Sequence, residues 1–305
     1  MAIKNLETLI EYAKKNEKKK MVVVAPHSLD VVQAIIDAEN QGLVDAILVG
    51  DCEVIKSLYC DLEAEPDIIH EPDEKKAAQI AVELVKSKKA DMIMKGKIQT
   101  ADLVRPVLNK ERGIRTRHLL SQVVVFEAPN NDRLMMLTDA AINISPTVNE
   151  KVQICSNAIT VAHSLGIDMP KVALLAAFEF VNAAMPATID AACITQMNRR
   201  GQIEGALIDG PIALDAVISP KAAKQKKISS PIVGQTDILV APDIEAANIL
   251  YRSILYFAGA RSCGIVYGAQ VPLVLLSRAE DPYTKLCSIA LASLVDHFEK
   301  NNRKE

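Results

Sequence analysis

From residue 21 onward, short runs of β-branched and apolar residues alternate with longer stretches in which apolar positions repeat every three to four residues. Residues 21–25, 46–49, 67–69 and 92–94 read as strands, each followed by a segment of helical period. One such helix opens at Ser28, a predicted N-cap, with Val31, Val32, Ile35 and Ile36 on one face. This is the rhythm of βαβ units and a mostly parallel sheet. Farther along, residues 122–127 and 133–138 are predicted strands, and a long helix is predicted from Thr147 to Leu165. Strands at 171–176, 206–209, 237–241, 264–267 and 272–276 complete the pattern. Several end in a small or polar residue, where a parallel sheet exposes its carboxyl ends and gathers ligands. The Lys-rich stretch 221–227 reads as a solvated surface loop.

The chain has 305 residues, half of them hydrophobic and 24% charged, which excludes a largely disordered or low-complexity protein. Its formal charge of -3 provides no global basic field for nucleic acid, so any anion must be met by a local site. The six cysteines form no CxxC pair and have no His at ligand spacing, which argues against zinc or a disulfide framework and for reduced thiols in a cytoplasm. No apolar run approaches the roughly 20 residues of a membrane span, and the N-terminal pattern is an amphipathic helix rather than a signal peptide. Neither GxSxG nor HExxH occurs. The carboxylates Asp209, Asp215 and Asp243 come without a dinucleotide fingerprint, against a metal-dependent dehydrogenase.

Four segments carry candidate chemistry. In residues 271–291 an apolar strand runs into Ser277 and Arg278, and Asp281 then caps a helix with Pro282 at its first position. A hydroxyl, a guanidinium and a helix N-terminus at one strand end suit an anion. In KGKIQT a strand ends in Lys95, Gly96 and Lys97, with Thr100 predicted to cap a helix bearing Arg105. TDAAIN offers Asp139 and Asn143 after a strand, and TDILVAPDIEAANILYR places Asp243 as an N-cap ahead of Asn248 and Arg252. Each segment alone also suits an ordinary solvated turn.

Taken in order and spacing, KGKIQT with LVRPVL, TDAAIN, TDILVAPDIEAANILYR and VPLVLLSRAEDP resemble the phosphate acetyl/butyryltransferase family over nearly the whole chain. The resemblance implies interconversion of an acyl-CoA and phosphate with an acyl phosphate and CoA, butyryl being the expected acyl group. It implies no metal and no cofactor beyond CoA as substrate, with acyl-CoA, inorganic phosphate and acyl phosphate as partners and a homo-oligomer as the assembly. The implied fold is two α/β domains with mostly parallel sheets, of the isocitrate/isopropylmalate dehydrogenase kind. The expected division is 1–112 with 267–305 against 113–266, with the active site in the cleft. On the same basis Ser277 stabilises the reacting carbonyl and Arg278 and Arg105 hold phosphoryl or carbonyl oxygens. Lys95, Thr100, Asp139, Asn143 and Asn248 fall to substrate binding. Thr284 stands where the family carries a carboxylate credited with deprotonating the CoA thiol, leaving Asp281 or Glu280 as substitutes. The other readings are a phosphate acetyltransferase and a non-catalytic regulator that binds CoA or acyl phosphate.

Overall fold

The computed structural model describes residues 2–60, 65–128, 132–277 and 280–302. The protein has a mixed α/β fold that divides into two compact units. One is discontinuous, Leu6–His118 with Cys263–Glu305; the other is Leu119–Ser262 joined by the first residues of the chain through Asn5.

The discontinuous unit opens with α1 (Leu6–Ala13), β1 (Lys19–Val24), α2 (Leu29–Asn40), β2 (Val44–Gly50) and α3 (Cys52–Tyr59). It continues through β3 (Asp67–His70), α4 (Glu74–Lys86), β4 (Met92–Lys95) and α5 (Thr100–Val107). The continuous unit holds β5 (Ser121–Glu127), β6 (Leu134–Thr138), α6 (Val148–Ser164), β7 (Lys171–Leu175) and α7 (Pro186–Arg199). Then come β8 (Leu207–Ile212), α8 (Leu214–Ile218), α9 (Pro220–Gln225), β9 (Ile238–Val240) and α10 (Ile244–Tyr256). The chain returns to the first unit with β10 (Ser262–Tyr267), β11 (Leu273–Val274) and α11 (Pro282–Asn302).

Strand order in the discontinuous unit is β3-β2-β1-β4-β11-β10, parallel except for the β10–β11 pair. In the continuous unit it is β5-β6-β9-β7-β8, parallel except for β5–β6. Helices cover both faces of a parallel sheet, so its strands read as unbroken apolar runs. β4 and β6 are buried at every position. The 21-residue α11 packs on α1, α2 and β11 and is buried from Thr284 through Asp296. Its Ile289, Leu291 and Val295 have no exposed surface, and each such side chain stabilises the fold by about 1.5–3 kcal/mol.

Several local expectations change. Ser28 occupies the N-cap of α2, but its hydroxyl makes no capping bond. Gln99, not Thr100, is the N-cap of α5, because the helical ladder begins with the Leu103 N–H donating to the Gln99 carbonyl. The Lys-rich stretch is mostly helix α9: Ser219 accepts from the Ala222 N–H, and Pro220 takes the first helical position, where no N–H is required. Its Lys226 pairs with Glu179 at 2.9 Å and Asp215 at 2.7 Å. β11 is only two residues long, against the five expected. β8 extends through Gly210, where a Cβ would stand 2.7 Å from that of Leu174.

Candidate functional site

Sheet order decides what the strand ends bring together. β1, β4 and β11 are neighbours and run parallel, so the segments after Val24, Lys95 and Val274 emerge side by side. The Gly96 N–H donates to the Val24 carbonyl and the Lys97 N–H to the Ala25 carbonyl, tying the β4 turn onto the β1 turn. A Cβ on Gly96 would lie 2.1 Å from the Ala25 oxygen, so only glycine permits this approach.

Beside these turns lies a cavity of about 150 Å³, lined by His27, Ser28, Lys95, Lys97, Ser277 and Lys285 together with Asp30 and the Gly96 backbone. That volume equals roughly five water molecules at about 30 Å³ each, the scale of a phosphoryl group. Lys95 and Lys285 are 7% and 3% exposed. The Lys285 ammonium donates to the Glu280 carbonyl, and that of Lys95 to the Ile98 carbonyl at 3.5 Å. Three ammonium groups against one carboxylate give the pocket a positive field, and low-dielectric walls strengthen it. Burial draws the His27 imidazole below its ordinary pKa; Glu74 and Asp51 oppose that shift and Lys97 adds to it.

Of the residues singled out in the sequence, Lys95 and Ser277 meet in this cavity. The Ser277 N–H donates to Glu280 at 2.9 Å, which closes the turn ahead of α11. Arg278 lies outside the described residues. Asp281 caps α11, its Oδ1 accepting the Thr284 N–H at 2.7 Å, and its other oxygen faces the Thr284 hydroxyl at 3.4 Å. That carboxylate serves as the cap of the helix. Thr284 is buried in α11, where its carbonyl accepts from Ser288. Arg105 is on a different wall: its side chain is 74% exposed, 3.5 Å from Asp102, beside a separate cavity of about 310 Å³ that includes Lys75 and Arg112. Thr100 is an exposed residue of the first turn of α5.

The TDAAIN turn of the continuous unit is built around Asp139. Its carboxylate accepts N–H groups of Gln122, Ala141, Ile142 and Asn143 and the Asn143 amide. Burial pushes the Asp139 carboxyl up while those donors hold it back. Asn143 also donates to the Leu120 carbonyl, and Asn248 to that of Ala140. These three side chains hold a loop. Near it, at the carboxyl ends of β7 and β9, a cavity of about 770 Å³ is lined largely by small and apolar residues, among them Leu175, Ala177, Met185, Ala241 and Leu250. A Lys151–Asp190 pair at 2.7 Å marks its polar corner.

His27 and Lys285 were not read from the sequence as site residues, whereas Lys97 was part of the KGKIQT segment and also lines the cavity. For His27 the available signal was its place directly after a strand, and for Lys285 a single charge inside an otherwise apolar helical face. Folding also gathers Asp51, Cys52 and His70, with one donor atom of each within 4.8 Å of the others, a set that cysteine spacing does not reveal. Asp51 Oδ1 accepts two N–H groups of α3 and His70 Nδ1 accepts the Cys52 N–H, so two of the three donors already serve the backbone.

A cationic pocket at the carboxyl ends of parallel strands is where an α/β protein meets an anionic ligand. The family profile described as Phosphate acetyl/butaryl transferase matches residues 64–293. A phosphate butyryltransferase of Clostridium acetobutylicum is 44% identical over 96% of this chain and 98% of its own. A phosphate acetyltransferase of Thermotoga maritima is 42% identical over 95% of this chain and 99% of its own. The crystal structure of a branched-chain phosphotransacylase from Enterococcus faecalis superposes with a TM-score of 0.81 at 32% identity, covering 92% of this chain and 99% of that one. The chain belongs to the phosphate acetyl/butaryl transferase family.

Proposed function

We propose that this enzyme exchanges phosphate and CoA at a short acyl group, interconverting butyryl-CoA and phosphate with butyryl phosphate and CoA. The observation that carries the reading is the cavity in which Ser277 sits among Lys95, Lys97 and Lys285. Attack of the CoA sulfur on the acyl phosphate carbonyl puts charge on the carbonyl oxygen; collapse then breaks the C–O bond and releases phosphate. Two anions need stabilising. The Ser277 hydroxyl donates to the first, a kind of interaction worth about 3 kcal/mol when preorganised. The lysines neutralise the second, and Arg278, next in the chain, adds a bidentate grip in this reading.

The missing carboxylate at position 284 has a physical answer in the same pocket. A thiol with an ordinary pKa near 8.5 is already a few per cent thiolate at neutral pH, and neighbouring cations raise that fraction. Lysine charge thereby does the work of a base, with Asp281 left to cap its helix. Two α/β domains of the isocitrate/isopropylmalate dehydrogenase kind, acting as a homo-oligomer in a cytoplasm, belong to the same reading.

The test is phosphate-dependent release of free thiol from acetyl-, propionyl-, butyryl- and isobutyryl-CoA. We expect turnover with all four and the highest kcat/KM for a four-carbon acyl group. Each methylene in an apolar pocket separates substrates by only about 1–3 kcal/mol, so the preference is graded. CoA binding without thiol release under any of these conditions overturns the enzymatic reading in favour of a regulator.

A further inference from the structure

The imidazole of His27 is held in a way that fixes which nitrogen carries its proton. His27 follows β1, and its ring lies against Gly50 at the end of β2, where a Cβ would stand 2.7 Å from Nε2. The next residue, Asp51, donates its backbone N–H to that same Nε2 at 3.2 Å. A backbone amide only donates, so Nε2 must offer a lone pair and the ring's single proton sits on Nδ1. Protonating Nε2 would set N–H against N–H. Asp51 is itself held as the N-cap of α3, accepting the Glu53 N–H at 3.0 Å, so the clamp is part of the scaffold.

His27 also lines the cationic cavity beside Ser277, Lys95 and Lys285. We propose that His27 is a further substrate-contacting residue of the acyl-transfer reaction, a neutral imidazole that presents Nδ1–H to an oxygen of the acyl phosphate. This rests on the reaction assigned above. A neutral donor suits the pocket chemically. It stabilises an oxygen that gains charge when sulfur attacks, yet it holds its proton too tightly to quench the CoA thiolate, as an imidazolium would. The charged groups around the ring are Glu74 of α4, Asp51 at the N-cap of α3, Lys97 after β4, and Asp30 of α2, Lys95 and Lys285 in the cavity lining.

Two side chains separate the ring's two nitrogens. In His27→Asn the amide falls near the Nδ1 position and restores the donor; in His27→Gln it falls near Nε2, restoring the bond to Asp51 but not the donor. Rates for butyryl phosphate and CoA should stay within about tenfold of wild type for H27N and fall by about 10²–10³ for H27Q and H27A, the usual loss for one preorganised donor. The loss should appear in kcat, with KM for CoA unchanged, and H27Q, which keeps the bond to Asp51, should melt close to wild type while H27A and H27N melt a few degrees lower. Nitrogen-15 NMR of histidine-labelled wild-type protein should show the His27 Nδ1–H tautomer without conversion to imidazolium between pH 6 and 8. An Nε2–H tautomer, titration near pH 6.5, or an H27Q enzyme as fast as H27N overturns the proposal. If the wild type itself releases no thiol, the assigned reaction fails instead, and the NMR result still decides the protonation state of the ring.

Discussion

Position 281 shows how one side chain's geometry fits it for a structural role. Asp281 Oδ1 accepts the Thr284 N–H at 2.7 Å, the arrangement of a helix cap. Asn caps equally well, so Asp281→Asn should keep both its melting temperature and a rate within about threefold of wild type. Asp281→Ala should lose about 1 kcal/mol of stability in urea unfolding. A hundredfold slower D281N enzyme with unchanged stability would instead make this carboxylate the thiol base. Lys285 behaves oppositely. It lines the cationic cavity, and Lys285→Gln should cut kcat/KM for phosphate by about 10²-fold in initial-rate assays, because the leaving anion loses one of its charge-assisted partners. Little change would mean that Lys285 serves only to hold the Glu280 turn.

At the scale of elements, α11 is anchored by charge as well as by apolar burial. Lys19 of β1 and Asp296 of α11 pair at 2.9 Å with side chains 7% and 5% exposed, and Lys300 joins them at 2.8 Å from Asp296 and 2.6 Å from Asp91. Removing one partner leaves a buried charge uncompensated, so Asp296→Asn should destabilise the protein by about 3–5 kcal/mol in urea unfolding. A loss below 1 kcal/mol would show that the pair contributes little. Asp91 adds a pH signature. Burial opposes its charge, but the bonds from Lys300 and from the Lys20 N–H outweigh that and hold its carboxyl below the ordinary carboxylate range. A depressed folded pKa supplies stability above the unfolded value, near 3.9, which is lost as pH falls through the folded one. Wild type should therefore exceed Asp91→Asn in stability at pH 7, with the gap closing below about pH 4. A gap independent of pH would exclude this linkage.

The molecule as a whole sets the reactivity of its six thiols. Burial pushes the Cys155 thiol up to about 12, and Cys263 and Cys287 are buried as well, whereas Cys60 and Cys193 are exposed. Maleimide at pH 8 should label Cys60 and Cys193 rapidly, half-buried Cys52 more slowly, and the other three only in denaturant, as peptide mass spectrometry would show. Rapid labelling of Cys155 would contradict the packing of α6. The same division between local and global runs through the reading of the sequence. The runs at 21–25, 46–49, 92–94 and 133–138 are legible as strands because a sheet covered on both faces demands apolar residues at successive positions, a purely local condition. The caps at Asp243 and Asp281 are legible for the same reason, since each side chain reaches an N–H only three residues away. The short helix α9 escapes this logic, being too short to display a period, and β11 is shorter than the apolar run that announces it. Sequence by itself determined the α/β class, the family motifs and the Ser277 and Lys95 candidates. Only tertiary structure decided that β1, β4 and β11 lie side by side, and hence that His27, Lys95, Ser277 and Lys285 share one cavity while Arg105 faces another. Strand order is a contest among pairings far apart in the chain, settled by the packing of all the helices at once, and no local periodicity records its outcome.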